Sequence, residues 1–396
     1  MKIKTIKNIK QIDNKRIILR VDFNVPFDKD NKITDNTRIK KTLKTINYLL
    51  KKNTKLIIIT HIGRPNKSFD KNLSTKLLIS ELKRLTNKNV ILGNKRLKIA
   101  IKQSKKLKTQ EILLCENIRF YKGEEKNSTK LAKIIKNLGE IFVNEAFSMS
   151  HRNHCSVSKI TEFLPSYAGF NLIQEIKKLN KLKNQKINRP YTIIIGGAKI
   201  DTKIDLLNNF INIVDNIVIG GAIANTFLKS QNINIGKSLF EKEKVINAKK
   251  ILERYKKSKS KLILPTDYKT SVKIDTNSTT IEKEKNNVSK DDIIVDIGSK
   301  TIKKYKAIIR NSKTIFFNGP MGIYEIENFS KGSNEILKEI ANAKNKITII
   351  GGGDSIDALN KLKINTKNIY HISTGGGASI EYLYKENFES FKNLGG

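Results

Sequence analysis

The stretch from Tyr191 to Lys203, YTIIIGGAKIDTK, combines residue types that suit a bound phosphate. It opens with a short β-branched run typical of a buried parallel strand. Gly196 and Gly197 then let the backbone turn sharply and approach a ligand, because glycine has no Cβ. Lys199 and Lys203 are four residues apart and would face the same anion on a helical turn. The chemistry indicated is binding of nucleotide phosphates.

A helix is expected to follow through Leu206 and Leu207, capped by Asp201 or Thr202, with its free N–H groups available to a phosphate. Taken alone, the segment is better explained as an ordinary strand-to-helix turn with solvated lysines. It lacks the spacing of a Walker A loop, and the chain contains no G-x-G-x-x-G fingerprint. The other glycines of the second half shift the interpretation from an ordinary turn toward a phosphate site.

Strands predicted in the second half finish in glycines, and these let backbone N–H groups reach a bulky anion and a flat ring. Asp354, after one of these runs, is placed to coordinate a divalent ion on phosphate oxygens. Another run, Gly375 to Gly377, precedes a helix from about Ile380 to Tyr384 and is either an anion site or a flexible turn. The strands are expected to end at Ile195, Ile219, Ile297, Phe317 and Ile350, followed by Gly196, Gly197, Gly220, Gly221, Gly298, Gly319, Gly322, Gly351, Gly352 and Gly353.

Arginine is scarce in this lysine-rich chain, so its placement in the first half is informative. A planar guanidinium matches carboxylate and phosphate in a way that an ammonium does not. Arginine at strand ends therefore indicates anion binding, although surface ion pairs of little energetic weight would give the same pattern. The arginines that lie at the ends of predicted strands or in the turns after them are Arg20, Arg38, Arg64, Arg119 and Arg152.

Strands of the first half are expected at 16–21, 56–60, 112–115 and 141–143, with a helix from about 35 to 50. Their alternation with helices predicts a parallel sheet, in which ligands bind beyond the carboxyl ends of the strands. Arginines and histidines should therefore meet at one mouth. Taken singly, His61, His151 and His154 are more often structural than catalytic, and Asp22 and Asn24 are typical turn caps.

Length and composition favour a two-domain protein of a reducing compartment, and we expect it in the cytoplasm. A chain of 396 residues is long enough for two cores, and its two cysteines, Cys115 and Cys155, argue against a disulfide framework. The first residues carry no uninterrupted apolar stretch of the kind found in signal peptides. Apolar runs are too short for a membrane span, so we expect no membrane partner.

The formal net charge of +40 raises the alternative of a nucleic-acid-binding protein. That class predicts a concentrated basic patch with interleaved aromatic residues. The lysines are instead spread over every segment together with Asn and Ile, as in proteins from AT-rich coding sequence. We expect no specific nucleic-acid partner, and non-specific polyanion binding only as a side effect. A second alternative is another ATP-dependent kinase acting on an acid or alcohol, and the many cations favour a highly charged acceptor.

The ordered set of motifs resembles the phosphoglycerate kinase family over essentially the whole chain. The resemblance implies an α/β fold of two doubly wound parallel-sheet, Rossmann-like domains facing a central cleft. It also implies ATP/ADP with Mg²⁺, the substrates 3-phosphoglycerate and 1,3-bisphosphoglycerate, and a monomer. The matching motifs are RVDFNVP at 20–26, HIGRP at 61–65, ENIRF at 116–120, GGAK at 196–199 with Lys203, NGPMG at 318–322, GGGD at 351–354 and STGGGAS at 373–379.

Domain limits and residue roles follow from the same resemblance. Residues 1–172 would bind phosphoglycerate with 373–396 packing back on them, 173–188 would form a connecting helix and hinge, and 189–372 would bind nucleotide. The implied substrate residues are Asp22, Asn24, Arg38, His61, Arg64, Arg119 and Arg152. The implied nucleotide residues are Gly196, Gly197, Lys199, Lys203, Gly220, Gly221, Gly298, Asn318, Glu325, Gly351, Gly352, Gly353, Asp354 and Ser355, with Asp354 at the metal. The implied catalytic residues are Arg38, Lys203, Gly352, Gly375 and Gly376.

Four positions depart from the family pattern. The family usually has Asp at Glu145, Gly at Ser148, Pro at Ser299 and Thr at Ser355. The first two changes affect the loop that presents Arg152, whereas Ser355 keeps the hydroxyl of the threonine it replaces.

Overall fold

The computed structural model describes residues 3–66, 68–183, 187–385 and 387–395. Contacts between residues divide the chain into two units. The first unit comprises Met1–Lys177 and Lys385–Gly396, and the second comprises Lys178–Tyr384. Residues 373–384 thus group with the second unit in this division, and the domain limits expected from the sequence stay a prediction.

The first unit alternates strands and helices, as its sequence predicts. Its strands are β1 Arg16–Arg20, β2 Lys55–Ile59, β3 Val90–Leu92, β4 Ile112–Leu114, β5 Ile141–Asn144 and β6 Ser166–Ala168. Its helices are α1 Thr37–Lys51, α2 Ile79–Thr86, α3 Leu97–Lys106, α4 Thr129–Ile135 and α5 Phe170–Lys183, the last of which continues into the second unit. Asn184, the predicted end of α5, lies outside the described residues.

The strands of the first unit form one parallel sheet in the order β3-β4-β2-β1-β5-β6. Helices cover both of its faces. Ile17 and Leu19 share an apolar core with Ile39 of α1, whereas Ile18 shares a second core with Ala100 of α3. The alternation follows from the two-residue period of a strand, which directs successive side chains to opposite faces.

The direction of chain progression reverses between β1 and β5, which are neighbours in this sheet. From β1 the chain moves to β2 on one side, and it later returns to β5 on the other. Such a switch point leaves a crevice beyond the carboxyl ends of the two strands, because their connections leave in opposite directions. The prediction that four polar strand ends meet at one edge is confirmed, since β4, β2, β1 and β5 are consecutive.

The second unit repeats this design with an added antiparallel sheet. Its strands are β7 Tyr191–Ile195, β8 Asn216–Ile219, β9 Lys261–Ile263, β10 Asp267–Ser271, β11 Ile281–Glu284, β12 Ile293–Ile297, β13 Thr314–Asn318, β14 Ile347–Gly351 and β15 His371–Ser373. Its helices are α6 Ile204–Asn209, α7 Gly221–Lys229, α8 Val245–Lys256, α9 Ser299–Asn311, α10 Lys331–Ala341, α11 Gly353–Lys361 and α12 Gly377–Tyr384. No helix in the described ranges has the length and apolar character needed to cross a membrane.

The main sheet of the second unit is parallel, in the order β15-β14-β13-β7-β8-β9. Its switch point lies between β7 and β13, so the loops after these two strands flank a crevice. Ile194, Ile315 and Phe317 of the sheet share a core with Tyr305 of α9 and Ile336 of α10. The prediction of two parallel-sheet α/β domains is confirmed.

The predicted strand that ends at Ile297 is present as β12, and it belongs to the antiparallel sheet β11-β10-β12. One local prediction in this unit is wrong. Asp201 does not cap the next helix, since α6 begins at Ile204 after Lys203. Asp201 pairs instead with Lys244 at 2.6 Å, and the side chain of Thr202 lies outside the described part.

Glu145, one of the positions that depart from the family pattern, satisfies the backbone at the start of α5. Its buried carboxylate accepts the N–H groups of Asn171 at 3.0 Å and Leu172 at 3.1 Å. It also accepts the hydroxyl of Thr45 on α1, and that hydroxyl accepts the N–H of Phe170 at 2.9 Å. The first N–H groups of α5 are therefore satisfied by side chains, and α5 is fastened to the helix that carries Arg38.

The raised pKa of the Glu145 carboxyl predicts that the stability of the protein depends on pH. Burial raises the pKa of Glu145 to about 7 from an ordinary value of 4.5, against the opposing hydrogen bonds of Thr45, Leu172 and Asn171. The stabilisation from its protonation is complete below about pH 4.5 and is lost as the pH rises through about 7, at a cost of about 3 kcal/mol. The free energy of unfolding of the parent protein should fall between pH 5 and pH 8 relative to that of Glu145→Gln, measured by urea titration. Parallel curves for the two proteins would contradict this prediction.

Candidate functional site

Asp22 lies just beyond β1, at the switch point of the first sheet, and gathers several of the predicted substrate residues. Its Oδ2 accepts Nη1 of Arg38 at 2.6 Å and the hydroxyl of Ser148. Its Oδ1 accepts the N–H of Asn24 at 3.1 Å and lies 4.0 Å from Nδ1 of His61. Burial raises the pKa of Asp22, but the charge of Arg38 and these donors outweigh it and hold the pKa at about 2. Asp22 is therefore ionised at neutral pH and serves as the counter-ion of Arg38.

Gly63 links Asn24 to Arg119. Its N–H donates to Oδ1 of Asn24 at 2.8 Å, and its carbonyl accepts Nη1 of Arg119 at 2.6 Å. The backbone turns here with φ +57°, a conformation that favours glycine. Sequence reasoning placed Gly63 only inside the HIGRP motif and gave it no role, although a glycine between a histidine and an arginine is a usable turn signal.

Electrostatic interactions link the remaining predicted substrate residues, Arg64, Arg119 and Arg152. Burial lowers the pKa of Arg119, and the charges of Arg152 and Arg64 lower it further, so both of these guanidinium groups lie within electrostatic range of Arg119. Arg64 and Arg152 are exposed, whereas Arg119 is buried. The structure thus brings the predicted cations of the first half together at one edge of the sheet. We name them, with Asp22, Asn24 and His61, the cationic set.

His61 is a buried neutral imidazole. Burial lowers its pKa well below the ordinary value of 6.5, and the charges of Arg20, Arg119 and Arg38 act in the same direction against that of Asp22. The imidazole of His61 is therefore uncharged at neutral pH. This agrees with a structural role for His61 rather than a role as a cation that binds substrate.

Arg20 is buried next to the cationic set and is not accessible to a ligand. Its Nε donates to the hydroxyl of Ser156 at 2.8 Å, and that hydroxyl donates to Oε1 of Glu124 at 2.6 Å. Glu124 and Arg20 are both at most 1% exposed. The buried acid therefore offsets part of the positive charge beneath the set.

A cavity of about 460 Å³ opens at the switch point of the second sheet. Residues from four separate loops and helix starts surround it, because the loops after β7, β13, β14 and β15 end on the same edge. We name this cavity the glycine cavity. It is lined by Gly196, Gly197, Ala198, Lys199, Lys203, Asn318, Gly319, Gly352, Gly353, Asp354, Ser355, Gly376, Gly377 and Ile380.

The glycines around this cavity serve two purposes. Gly196 and Gly319 let two loops pack backbone against backbone, since a Cβ on Gly196 would lie 1.9 Å from the carbonyl oxygen of Pro320. A Cβ on Gly353 or Gly376 would meet nothing within 4 Å. The second pair therefore leaves open space beside the first turns of α11 and α12, as close approach of a bulky anion requires.

Lys203 is a half-buried cation of the glycine cavity. Its Nζ donates to Oδ1 of Asn318, whose amide donates to the carbonyl of Gly351 at 2.7 Å. Burial lowers the pKa of Lys203 to about 8, while the carboxylate of Asp354 acts in the opposite direction. The hydroxyl of Ser355, which also lines the cavity, accepts the N–H of Gly319 at 2.8 Å and keeps its own O–H as a donor.

A second, more apolar cavity of about 560 Å³ adjoins the glycine cavity, with Gly197, Ala198 and Asp354 common to both. Its walls suit a flat ring with a polar edge. Glu325, predicted from the resemblance, lines it, whereas sequence reasoning missed the apolar walls because no local pattern marks them. Those walls include Leu239, Ile274, Ile297, Met321, Ile323 and Tyr324.

Some predicted nucleotide residues line neither cavity: Gly220, Gly298 and Gly351. The predicted catalytic residue Gly375 also lines neither. Close packing explains the need for glycine at two of them. A Cβ on Gly298 would lie 2.3 Å from Oδ2 of Asp267, and one on Gly220 would lie 2.5 Å from Sδ of Met321. Their direct contact with nucleotide stays a prediction.

Gly353 offers a test of phosphate binding that leaves the fold intact. Since its Cβ position is open, Gly353→Ala should fold normally, yet the methyl group would stand where a phosphate oxygen approaches. We expect the KM for ATP to rise by about tenfold or more, equivalent to about 1.4 kcal/mol. Steady-state kinetics with a parallel melting curve would measure both effects. A normal KM for ATP in the folded variant would contradict phosphate binding beside α11, and Gly196→Ala, which clashes with Pro320, serves as the destabilised comparison.

The two sets of residues differ in the ligands they suit. The cationic set offers guanidinium groups for a small, highly charged acid. The glycine cavity offers backbone N–H groups, a lysine and one carboxylate beside an apolar slot, which suits a nucleotide with a divalent ion. Among the described residues, no group of three or more His, Cys, Asp or Glu side chains is arranged to hold a metal by itself.

Comparisons with known proteins agree with this chemistry. Residues 6–386 match the family model described as phosphoglycerate kinase. The chain is 41% identical over its full length to phosphoglycerate kinase of Pseudothermotoga lettingae, covering 99% of that protein, and 44% identical to that of Wolbachia sp. subsp. Drosophila simulans, with 97% and 96% covered. The structure of phosphoglycerate kinase from Coxiella burnetii superposes with a TM-score of 0.84, at 34% identity and 99% coverage of both chains. The chain therefore belongs to the phosphoglycerate kinase family.

Proposed function

We propose that the cationic set holds phosphoglycerate and that the two cavities of the second unit hold ATP or ADP. The reaction of the family is reversible phosphoryl transfer between ATP and the carboxylate of 3-phosphoglycerate, giving 1,3-bisphosphoglycerate and ADP in glycolysis, and this chain is an ATP-dependent kinase of that family. The observation that carries the residue assignment is that half-buried Lys203 and Asp354 line the same glycine-rich cavity at a switch point, where the charge of Asp354 acts on the ammonium of Lys203.

The acceptor explains why the site is rich in cations and lacks a histidine base. A carboxylate is already ionised at neutral pH, so its attack on phosphorus requires no proton removal. The barrier is dominated by alignment of two anions and by charge on the moving phosphoryl oxygens. Arg38 and Lys203 are the proposed suppliers of positive charge, helped by the N–H groups near Gly352 and Gly376.

Asp354 fits the role of metal ligand. It lines both cavities and lies in the first turn of α11, next to the open position at Gly353. Mg²⁺ in kinases is held by one or two carboxylates together with substrate phosphates, so one suitably placed aspartate is enough. When bound, the ion neutralises charge on the phosphate oxygens. Asp354→Asn should weaken Mg²⁺-ATP binding relative to metal-free ATP.

The alternative of a different acceptor is tested by substrate choice. A coupled assay with ATP and 3-phosphoglycerate should show turnover, and replacement of 3-phosphoglycerate by glycerate or glycerol phosphate should abolish it. Crystals soaked with each ligand separately should show nucleotide in the second unit and phosphoglycerate in the first. Both ligands on one unit would overturn the assignment. Location in the cytoplasm and a monomeric state also belong to this proposal, and sedimentation would test the latter.

The positive charge predicts only weak binding to nucleic acid. Because the lysines are distributed over all segments, contacts with DNA should be electrostatic and independent of sequence. We expect retention on a DNA column at low salt and release at moderate salt, with equal affinity for unrelated duplexes in a filter assay. Tight and sequence-selective binding at high salt would contradict this prediction.

A further inference from the structure

Ser148 lies in the short turn Phe147–Met149 that follows β5, and Asp22 lies just beyond β1. These strands are neighbours at the switch point of the first sheet. The hydroxyl of Ser148 donates to Oδ2 of Asp22, so the hydrogen bond joins the two loops that flank the crevice. No assigned role covers this serine.

The two carboxylate oxygens of Asp22 accept hydrogen bonds from different donors. Oδ2 accepts both Ser148 and Nη1 of Arg38, at 2.6 Å for the arginine. Because a carboxylate oxygen has about two lone-pair sites, these donors fill Oδ2. Oδ1 accepts the N–H of Asn24 at 3.1 Å and retains capacity for a second donor.

We propose that Ser148 is a positioning residue for the acid substrate: it fixes the rotation of the Asp22 carboxylate so that Oδ2 holds Arg38 while Oδ1 accepts the substrate hydroxyl. The inference rests on the proposed function, because it takes Asp22 as a substrate residue. A carboxylate held by Arg38 alone keeps more freedom about its Cβ–Cγ bond, since that terminal torsion is broad. The second donor narrows this freedom before substrate arrives, which reduces the entropy lost on binding.

Other contacts already hold the backbone of this loop in place. The hydroxyl of Ser150 donates to the carbonyl of Ala146 at 3.0 Å and accepts the amide of Asn144 at 3.3 Å. Ser390 donates to the carbonyl of Ser150 at 2.7 Å. Loss of the half-buried Ser148 hydroxyl should therefore leave the loop anchored and act on Asp22.

The test compares Ser148→Ala, Ser148→Thr and Ser150→Ala in the full chain. Ser148→Ala should raise the KM for 3-phosphoglycerate by about tenfold, in the range of one hydrogen bond to a charged group, and leave the KM for ATP unchanged. Ser148→Thr keeps the hydroxyl and should restore the parent KM. Ser150→Ala removes a hydroxyl from the same loop without touching Asp22, and should lower the melting temperature without a selective change in either KM.

Asp22→Asn separates failure of this inference from failure of the proposed function. If Asp22→Asn raises the KM for 3-phosphoglycerate but Ser148→Ala does not, the positioning role is overturned and the substrate site stands. An equal rise in both KM values, or the same rise in Ser150→Ala, would show a general loop effect and also overturn it. If Asp22→Asn binds 3-phosphoglycerate normally, the substrate site itself is misassigned and the inference falls with it.

Discussion

Arg38→Ala should lower kcat by roughly a thousandfold or more, the range for arginines that stabilise a transferring phosphoryl group. The KM for 3-phosphoglycerate should change much less. With no proton to remove, the energetic demand arises when charge spreads over the moving phosphoryl oxygens. A cation placed there binds the transition state more strongly than either substrate, so its loss is seen in kcat. Steady-state kinetics in both directions would measure this division.

The geometry of Arg38 supports this expectation. The residue lies in the first turn of α1, where Asp22 holds Nη1 at 2.6 Å, yet one third of its side chain is exposed. The guanidinium is therefore oriented by one carboxylate while part of it faces solvent. This orientation should limit the reorganisation of the guanidinium that is needed at the moment of transfer.

Arg64→Ala is the matched control for Arg38→Ala, because Arg64 belongs to the same cationic set but is exposed. A residue that grips the distant phosphate of phosphoglycerate contributes equally to the ground state and the transition state. Its removal should raise the KM for 3-phosphoglycerate, with a smaller loss in kcat. If Arg38→Ala kept the parent kcat with only a raised KM, and circular dichroism showed it folded, its role in the transition state would be withdrawn.

Lys203→Ala should reduce kcat to a similar extent. In the parent protein, the titration of Lys203 should also make kcat/KM for ATP depend on pH. Burial lowers the pKa of Lys203 to about 8 although Asp354 raises it, so the ammonium is present at pH 7 and is lost as the pH rises above about 8. The kcat/KM for ATP, which reports the free enzyme, should therefore fall along an alkaline limb near pH 8. Lys203→Arg keeps its charge over this range, so any residual activity should lack the limb.

Lys199→Ala provides the control for Lys203→Ala within the same cavity. Lys199 lines the glycine cavity four residues earlier, and we expect it to bind phosphate in the ground state. Its removal should raise the KM for ATP and leave the alkaline limb in place. If Lys203→Ala retained parent turnover, or if the limb near pH 8 persisted in that variant, Lys203 would not be the cation that acts during transfer.

Several features of the fold were predictable because their signals are local. The β-branched runs before Asp22, His61, Gly196 and Gly353 identify buried strands, since such residues pack well on a pleated sheet between two layers of helices. Positions 16–21 and 56–60 thus match β1 and β2 to within a residue. Alternation with helices then requires parallel pairing, which brings the ends of consecutive strands to one edge.

Other features depended on distant residues and had no local signal. Asp201 is a good helix cap by type, but Lys244 and Glu241 occupy its surroundings, and α6 starts later without a side-chain cap. The strand at β12 has the apolar run of a parallel strand, yet its pairing with β10 makes it antiparallel. Pairing partners compete across the whole chain, so a short run does not specify its own neighbour.

The sequence by itself determined the two α/β units, the strands whose ends carry the polar residues and the glycines, and through the ordered motifs the family. Only the tertiary structure decided that Ser148 meets Asp22, that Glu145 turns away to cap α5, and that Gly298 packs on Asp267 outside both cavities. The reason is physical. Strand and helix formation depends on neighbours within a few positions, whereas the partner and the pKa of a polar side chain depend on which loops the switch points bring together.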